Sequence, residues 1–165
     1  MLKGTAFKFG DDISTDHIVP GRLLHLRSNL PELTKHVLED ADPTFAQRVK
    51  KGDFVVAGKN FGLGSSREHA PLVIKMSGAS AILAKSVARI FFRNAINVGL
   101  PVLICNTEDI NDGDELEVDL QSGKVRDLSN GLEHDFSRMP EIMLNILNEG
   151  GLAPYIKKHK NFIVS

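Results

Sequence analysis

Four stretches of the chain have the apolar pattern of β-strands. The first, GTAFKF, alternates polar and apolar residues and leads into the polar segment GDDISTDH. The other three are short and almost continuously apolar, as strands buried on both faces are, and they cover residues 53–59, 80–85 and 100–105. The pattern therefore predicts one strand at residues 4–9 and three buried strands later in the chain.

Helical spacing of apolar residues fills the segments between these strands. Residues 31–51 have this spacing, with a break at Asp42-Pro43. A second helix is predicted from about residue 66 to residue 77, and a third over SVARIFFRNAIN. Strands and helices that alternate in this way predict a parallel α/β core.

The last third of the chain has a different pattern. DELEVDL and KVRDL flank the turn Gln121-Ser122-Gly123 and predict a β-hairpin. MPEIMLNILNEGG is an amphipathic helix that ends at paired glycines. We predict one compact α/β domain over residues 1–165, with a β-rich C-terminal section.

Charge and composition narrow the function classes. Twenty basic and twenty-one acidic residues give a formal net charge of −1, which offers no electrostatic argument for nucleic acid or an anionic membrane surface. No apolar run approaches the roughly 18 residues of a membrane span. The N-terminal MLKGTAFKFGDD lacks the apolar core of a signal peptide, so a cytoplasmic location is expected.

The single cysteine, Cys105, excludes two kinds of structure. It cannot form an internal disulfide, and one thiolate cannot hold an iron–sulfur cluster or a Cys-rich zinc site. Its place in the apolar run PVLIC predicts a buried, inert thiol rather than a nucleophile. Any cluster chemistry must therefore come from another chain.

The segment GKNFGLGSSREHAP, residues 58–71, concentrates groups that bind anions. Gly62 and Gly64 permit backbone conformations in which successive N–H groups point into one concavity. A helix N-terminus adds N–H donors, and the guanidinium of Arg67 suits a carboxylate or phosphate. We call residues 58–68 the glycine loop and predict that it binds an anion.

A structural alternative explains part of this segment. Ser65 and Glu68 have the spacing of a helix capping box, which leaves the second serine, both glycines and Arg67 unexplained. The loop lacks the Gly-Lys-Ser/Thr ending of a P-loop and the third glycine of G-x-G-x-x-G. A small carboxylate is therefore a better candidate than a nucleotide.

A second polar segment, GDDISTDHIVPGR, places a hydroxyl, a carboxylate and an imidazole side by side in Thr15, Asp16 and His17. These residue types also form turns, and the pattern alone does not separate the two interpretations. In the functional interpretation Asp16 orients His17 or a serine. The following RLLHLRS sets charged residues among leucines, which predicts either a pocket wall or the surface start of a helix.

The segment SVARIFFRNAINVGLPV carries Arg89 and Arg93 four residues apart on one helix face. Like charges at this spacing are slightly unfavourable unless they meet an anion or a partner. For Arg93 we expect a solvated face. Neither arginine is predicted as a site residue.

In this order and spacing, GDDISTDHIVPGR, GKNFGLGSSREHAP and ARIFFRNAINVGLP resemble the small subunits of 3-isopropylmalate dehydratases, in the aconitase superfamily. The resemblance covers nearly the whole chain. It implies a three-layer β/β/α swivelling domain, like the mobile C-terminal domain of aconitase. Such a domain closes over a large subunit that carries a [4Fe–4S] cluster, while the chain itself binds no metal.

The reaction implied by the resemblance is the isomerisation of 2-isopropylmalate to 3-isopropylmalate in leucine biosynthesis, by dehydration and rehydration. The chain would act only in a heterodimer or heterotetramer with the large subunit. Ser65 matches the general base that removes the carbon-bound proton, and Arg67 the residue that holds a substrate carboxylate, assisted by Ser66 and by Gly64 of the glycine loop. Asp16 and His17 match the second loop of the family's catalytic site, next to Thr15.

The segment RLLHLRS departs from the family pattern, in which a Tyr-Leu pair usually follows Pro-Gly. Arg27, or His25 in another register, would meet the extra carboxylate of a homoaconitase substrate, whereas Leu24 and its neighbouring leucines would contact an isopropyl group. A homoaconitase or a methylmalate-type dehydratase is therefore an alternative. A stand-alone carboxylate-binding module and a structural interaction protein are others. We also expect the glycine loop to be flexible in the isolated chain.

Overall fold

In a computed structural model that describes residues 1–159, seven strands form one sheet, ordered β4-β3-β2-β1-β5-β6-β7. The strands are β1 (Leu2–Lys8), β2 (Phe54–Val56), β3 (Ala81–Ala84), β4 (Val102–Ile104), β5 (Glu115–Asp119), β6 (Lys124–Asp127) and β7 (Glu133–Asp135). β1 to β4 are parallel, and β5, β6 and β7 continue the sheet as antiparallel strands. The predicted parallel core and the predicted hairpin are both confirmed.

Seven α-helices and one 3₁₀ helix lie between the parallel strands or after β7 within this part of the chain. They are α1 (Thr15–Ile18), the 3₁₀ helix (Gly21–Leu26), α2 (Leu30–Thr34), α3 (Phe45–Arg48), α4 (His69–Met76), α5 (Arg89–Asn97), α6 (Glu141–Asn148) and α7 (Leu152–Lys158). β7 and α7 were not among the predicted elements. α1 was not predicted either, whereas the 3₁₀ helix lies where the start of a surface helix was one of the two interpretations.

Side-chain alternation along the strands creates two cores, one on each face of the sheet. Phe7 of β1, Val55 of β2 and Ile82 of β3 point to the face that the helices cover. Their neighbours along the strands point to the other face, where they pack against residues of β5 and β6. The sheet therefore folds over itself and gives the three-layer β/β/α arrangement that the family resemblance implied.

The helical pattern predicted over residues 31–51 is partly confirmed, because one helix lies on each side of the predicted break at Asp42-Pro43, but both helices are much shorter than the pattern suggested. The segment contains α2 and α3, joined by turns. Leu38 has a positive φ of 57°, and its N–H donates to the Ile18 carbonyl at 3.1 Å, so a tertiary hydrogen bond replaces a helical one. Apolar spacing alone does not report such a bond.

Two simpler predictions concern burial and membrane spanning. The Cys105 side chain is buried, as predicted, and burial raises the pKa of its thiol to about 11. This pKa keeps the thiol protonated near neutral pH. Across residues 1–159 no helix is long and apolar enough to cross a membrane.

Candidate active site

Three loops meet at the carboxyl edge of the parallel strands. Because β1, β2 and β3 are parallel neighbours, the segments that follow them leave the sheet at the same edge. The first of these segments contains α1, the second is the glycine loop, and the third leads into α5. Binding sites of open α/β sheets form at such an edge.

Backbone hydrogen bonds hold the glycine loop between its two neighbours. On one side Gly62 N–H donates to the Ile13 carbonyl at 2.7 Å, and Thr15 N–H donates to the Leu63 carbonyl at 2.9 Å. On the other side Ala88 N–H donates to the Phe61 carbonyl at 2.9 Å. The loop therefore continues the sheet in short bridges before it turns towards α4.

Two glycines are required by this close packing. Gly62 has a φ of 81°, and a Cβ built there would lie 2.3 Å from Cγ of Phe91 on α5. Gly64 has a φ of 102°, and its Cβ would lie 3.3 Å from Oγ1 of Thr15. Any other residue at Gly62 would push the loop away from α5.

A cavity of about 230 Å³ opens between the glycine loop and α5. One wall of the cavity contains Gly62 and five of the predicted site residues. The other wall contains Ala88 and residues from the first part of α5. The lining residues are Thr15, Gly62, Gly64, Ser65, Ser66 and Arg67 on the first wall, and Ala88, Arg89, Ile90, Phe91 and Asn94 on the second.

Arg67 is fixed in the cavity wall through one of its nitrogens. Its side chain is only 18% exposed, and Nη1 donates to Oδ1 of Asp16 at 2.8 Å and to the Val19 carbonyl at 2.6 Å. The hydrogen bond from Arg67, followed by that from Gly21 N–H, lowers the pKa of the Asp16 carboxyl. The other N–H groups of Arg67 have no partner within residues 1–159, so they are free to bind an anion.

Ser65 and Ser66 are exposed at the mouth of the cavity, and their hydroxyls have no hydrogen-bond partner among the described residues. The Ser65 carbonyl accepts a hydrogen bond from Oγ1 of Thr15 at 2.8 Å, which fixes the backbone here. The structural alternative for this segment, a capping box of Ser65 and Glu68, is wrong. Helix α4 begins at His69, later than predicted, and its N-cap Glu68 makes no side-chain capping hydrogen bond. Both hydroxyls are therefore available for chemistry.

His17 has a structural partner. Nδ1 of its ring lies 2.9 Å from both the backbone nitrogen and Oγ of Ser14. The backbone N–H of His17 donates to the same Oγ at 3.2 Å. This is a capping box at the start of α1. The hydrogen bonds of Asp16 go to Arg67 and Gly21, so the expectation that Asp16 orients His17 or a serine is wrong. His17 itself does not line the cavity.

Of the two interpretations of RLLHLRS, the described structure has the surface start of a helix, and the pocket wall of Leu24, His25 and Arg27 does not form within residues 1–159. Leu24 packs against the helix-side core. Nδ1 of His25 lies 3.1 Å from the Arg22 carbonyl, and Nη1 of Arg27 donates to the Leu24 carbonyl at 3.3 Å. None of these three residues lines the cavity, although Gly21, at the start of their 3₁₀ helix, lies against the Arg67–Asp16 pair.

Arg89, Ile90 and Asn94 line the second wall, and the sequence analysis did not predict them as site residues. Their helix was predicted correctly, but the direction in which its first turn faces depends on how α5 packs beside the glycine loop. Arg89 and Asn94 make no side-chain hydrogen bond or ion pair within the described part of the chain. One feature of the sequence could have indicated these residues: α5 follows β3 directly, at the edge of the sheet where the glycine loop also leaves it.

Comparison with known proteins agrees with the motifs. The sequence model of the aconitase C-terminal domain matches residues 17–107. The chain is 66% identical to 3-isopropylmalate dehydratase small subunit 2 of Archaeoglobus fulgidus, over 96% of both chains. The chain belongs to the family of 3-isopropylmalate dehydratase small subunits. Small subunit 1 of Thermotoga maritima is 60% identical over 98% of both chains.

Structural comparison places the fold in the same family. A crystal structure of 3-isopropylmalate dehydratase from Methanocaldococcus jannaschii superposes with a TM-score of 0.93 at 45% identity, covering 98% of this chain and 96% of that one. A relative from the same organism, at 50% identity over 96% of this chain and 95% of its own, is named isopropylmalate/citramalate isomerase small subunit. The predicted α/β swivelling domain is confirmed.

Proposed function

We propose that this chain is the small subunit of a 3-isopropylmalate dehydratase, a hydro-lyase that converts 2-isopropylmalate to 3-isopropylmalate in leucine biosynthesis. One observation carries the proposal: Ser65, Ser66 and Arg67 line one open cavity, in a member of this small-subunit family. The hydroxyls suit proton transfer, and the guanidinium suits a substrate carboxylate.

The described residues do not fit a bound metal cluster. Cys105 is the only cysteine, it is buried, and its thiol has a raised pKa. Among residues 1–159 no three His, Cys, Asp or Glu side chains are grouped as metal ligands. We therefore assign the [4Fe–4S] cluster to a large subunit that binds this chain in a heterodimer or heterotetramer. As a separate assignment, we place the complex in the cytoplasm.

Arg67 holds a carboxylate of the substrate. Nη1 of Arg67 donates to Asp16 and to the Val19 carbonyl, which fixes the plane of the guanidinium, and the residue lines the cavity with its other donors unpaired among residues 1–159. Because Asp16 is ionised and hydrogen-bonded, it keeps Arg67 oriented without taking all of its donors. A fixed, partly buried guanidinium binds a carboxylate without first losing side-chain freedom.

Ser65 takes the carbon-bound proton. As the C–H bond breaks, its proton moves to the alkoxide Oγ of Ser65, the electron pair forms the double bond between the two carbons, and the hydroxyl leaves the adjacent carbon as hydroxide, for which the cluster of the large subunit would be the Lewis acid. Rehydration returns the proton and the hydroxyl in exchanged positions. A serine acts as a base only if its alkoxide is stabilised, and Arg67, two residues later, together with the N–H groups of the glycine loop, provides positive potential there.

The side chains of the 3₁₀ helix favour isopropylmalate over a substrate with a third carboxylate. Arg22 is paired with Glu39 and Asp40, and a nitrogen of Arg27 bonds the Leu24 carbonyl. Neither arginine lines the cavity. Citramalate, which the name of the Methanocaldococcus jannaschii relative includes, is the substrate to compare with isopropylmalate.

Anaerobic reconstitution with a cluster-loaded 3-isopropylmalate dehydratase large subunit tests the proposal. We expect isomerisation of 2-isopropylmalate only when both chains are present, with lower kcat/KM on citramalate and none on homocitrate-type substrates. A second experiment measures isopropylmalate binding to the chain alone by calorimetry. We expect weak binding, because the chain supplies only part of the proposed active site. Tight binding without a large subunit, together with no activity in the mixture, would instead indicate a carboxylate-binding module.

A further inference from the structure

An apolar groove runs between α5 and α6, beside the catalytic cavity. We call it the α5–α6 groove; its volume is about 380 Å³, and it is lined by Arg89, Phe92, Arg93, Ile96 and Asn97 of α5 and by Ile142, Met143 and Ile146 of α6. Ile142 is 45% exposed at its rim. Exposed apolar surface of this kind, rimmed by charge, is typical of protein–protein contact sites.

The groove and the cavity form one continuous surface. Arg89 lines both of them, and Ile90, the next residue, lines the cavity with 53% of its surface exposed. A protein that covers the cavity and extends past Arg89 therefore reaches the groove without crossing a gap. This continuity relates the groove to the same partner that completes the active site.

The charges at the groove are unbalanced within the chain. Arg89 and Arg93 are one turn apart on α5, where like charges repel slightly, and neither has an ion-pair partner in the described structure. Four other arginines, Arg22, Arg48, Arg67 and Arg126, each pair with a carboxylate, while Arg27 and Arg138 also have no ion pair among residues 1–159. Arg89 and Arg93 differ from those two because they lie together beside an apolar groove. A partner with carboxylates beside an apolar side chain would complement both features.

We propose that the α5–α6 groove is a docking surface for the large subunit, which inserts an apolar side chain between the helices and presents carboxylates to Arg89 and Arg93. The inference rests on the proposed function. A second copy of this chain is a poorer occupant, since a two-fold contact through this face would bring two pairs of unpaired arginines into one interface. α7 packs beside the groove and does not fill it. Tyr155 shares one apolar cluster with the groove residues Ile96 and Ile146, but it does not line the groove, and Ile142 stays 45% exposed.

Two groove variants and two matched controls test the proposal: Ile142→Asp and Arg93→Glu against Leu132→Asp and Lys51→Glu. Leu132 is 45% exposed like Ile142 but lies next to β7, and Lys51 lies before β2, at the sheet edge opposite the cavity. None of the four residues lines the cavity. A fixed amount of large subunit is titrated with each variant, and activity gives the half-saturating concentration and the rate at saturation.

We expect each groove variant to raise the half-saturating concentration by about tenfold or more, with the saturated rate within about twofold of the wild type. Both controls should match the wild type. If the folded groove variants have the same half-saturating concentration as the wild type, the proposal is overturned. It is also overturned if a groove variant changes only the self-association of this chain, measured by sedimentation. A wild-type chain that gives no activity with the large subunit would instead refute the proposed function.

Discussion

At the scale of single residues, the fixed guanidinium of Arg67 is the feature that a similar residue cannot replace. One nitrogen of Arg67 donates to Asp16 and to the Val19 carbonyl, and the other two have no partner among residues 1–159, in a side chain that lines the cavity. A lysine ammonium is a point charge that cannot keep both sets of contacts in one plane. The motif SSRE made this residue identifiable from sequence because the two hydroxyls and the guanidinium are adjacent in the chain.

We predict that Arg67→Lys lowers kcat/KM of the reconstituted enzyme by about 100-fold or more, because the oriented carboxylate contact is lost. Steady-state kinetics on 2-isopropylmalate measures the effect. Arg126→Lys is the control, since Arg126 pairs with Glu117 and Glu133 on the exposed surface and should leave kcat/KM unchanged. Wild-type activity in Arg67→Lys would contradict the proposed contact between Arg67 and a substrate carboxylate.

The role of His17 was not predictable from adjacency. In the sequence His17 follows Asp16, yet in the structure the imidazole turns back to Ser14. The spacing from Ser14 to His17, three residues, is that of an N-cap and its third helical residue, and this was the available signal. A catalytic role for His17 therefore stays a prediction, and its observed contacts are those of a cap.

At the scale of elements, the glycine loop depends on its contact with α5. We predict that Gly62→Ala costs at least about 3 kcal/mol of unfolding free energy, through left-handed strain and collision with Phe91. Gly113→Ala is the matched control: its φ is 89°, but a Cβ there meets nothing within 4 Å, so only about 1 kcal/mol of strain remains. Urea unfolding of both variants measures the difference. Equal losses would mean that the loop does not pack on α5 as described.

The end of β6 carries a carboxyl in an unfavourable place. Asp127 is fully buried, its Oδ1 accepts N–H groups of Ser129 and Asn130, and its Oδ2 has no partner in the described structure. Burial, followed by the neighbouring Asp114 carboxyl, raises the pKa of Asp127. When the pKa of a carboxyl is higher in the folded than in the unfolded state, the unfolding free energy of the protein falls as pH rises through these two pKa values. The cost of ionising buried Asp127 is therefore present at neutral pH and absent in acid.

We therefore predict that Asp127→Asn raises the Tm by about 2–4 °C at pH 7 and changes it little near pH 3, where the carboxyl is protonated in both states. The amide oxygen can keep the two backbone hydrogen bonds, and the amide nitrogen can donate to Asp114. Asp135→Asn is the control, because the exposed Asp135 pairs with Lys124 and should give no gain. A gain that is independent of pH would contradict this account.

At the scale of the whole molecule, the sequence predicted the parallel strands and the hairpin but not how they join. The first half of β1 pairs with β5 in antiparallel orientation, and its second half pairs with β2 in parallel orientation. This division of one strand between two partners lets the sheet fold over itself. It depends on contacts between residues more than 100 positions apart, which local apolar periodicity does not contain.

The same limit applies to the site. Its first wall is a contiguous motif and was predicted, whereas its second wall comes from α5, whose approach to the glycine loop is set by the packing of Gly62 on Phe91. The 3₁₀ helix shows the converse error: its residues are close to Asp16 in sequence, but its leucines pack on the core, Arg22 and His25 are exposed, and none of them lines the cavity. The expected flexibility of the glycine loop stays a prediction.

The most direct measurement compares Ser65→Ala with Ser137→Ala in the complex with a large subunit. Both serines are exposed, and neither hydroxyl has a partner among residues 1–159, but only Ser65 lines the cavity. We predict that Ser65→Ala lowers kcat by about 10³-fold with unchanged half-saturation by the chain, while Ser137→Ala behaves as the wild type. A wild-type rate in Ser65→Ala would contradict the claim that this chain supplies the base of a divided active site.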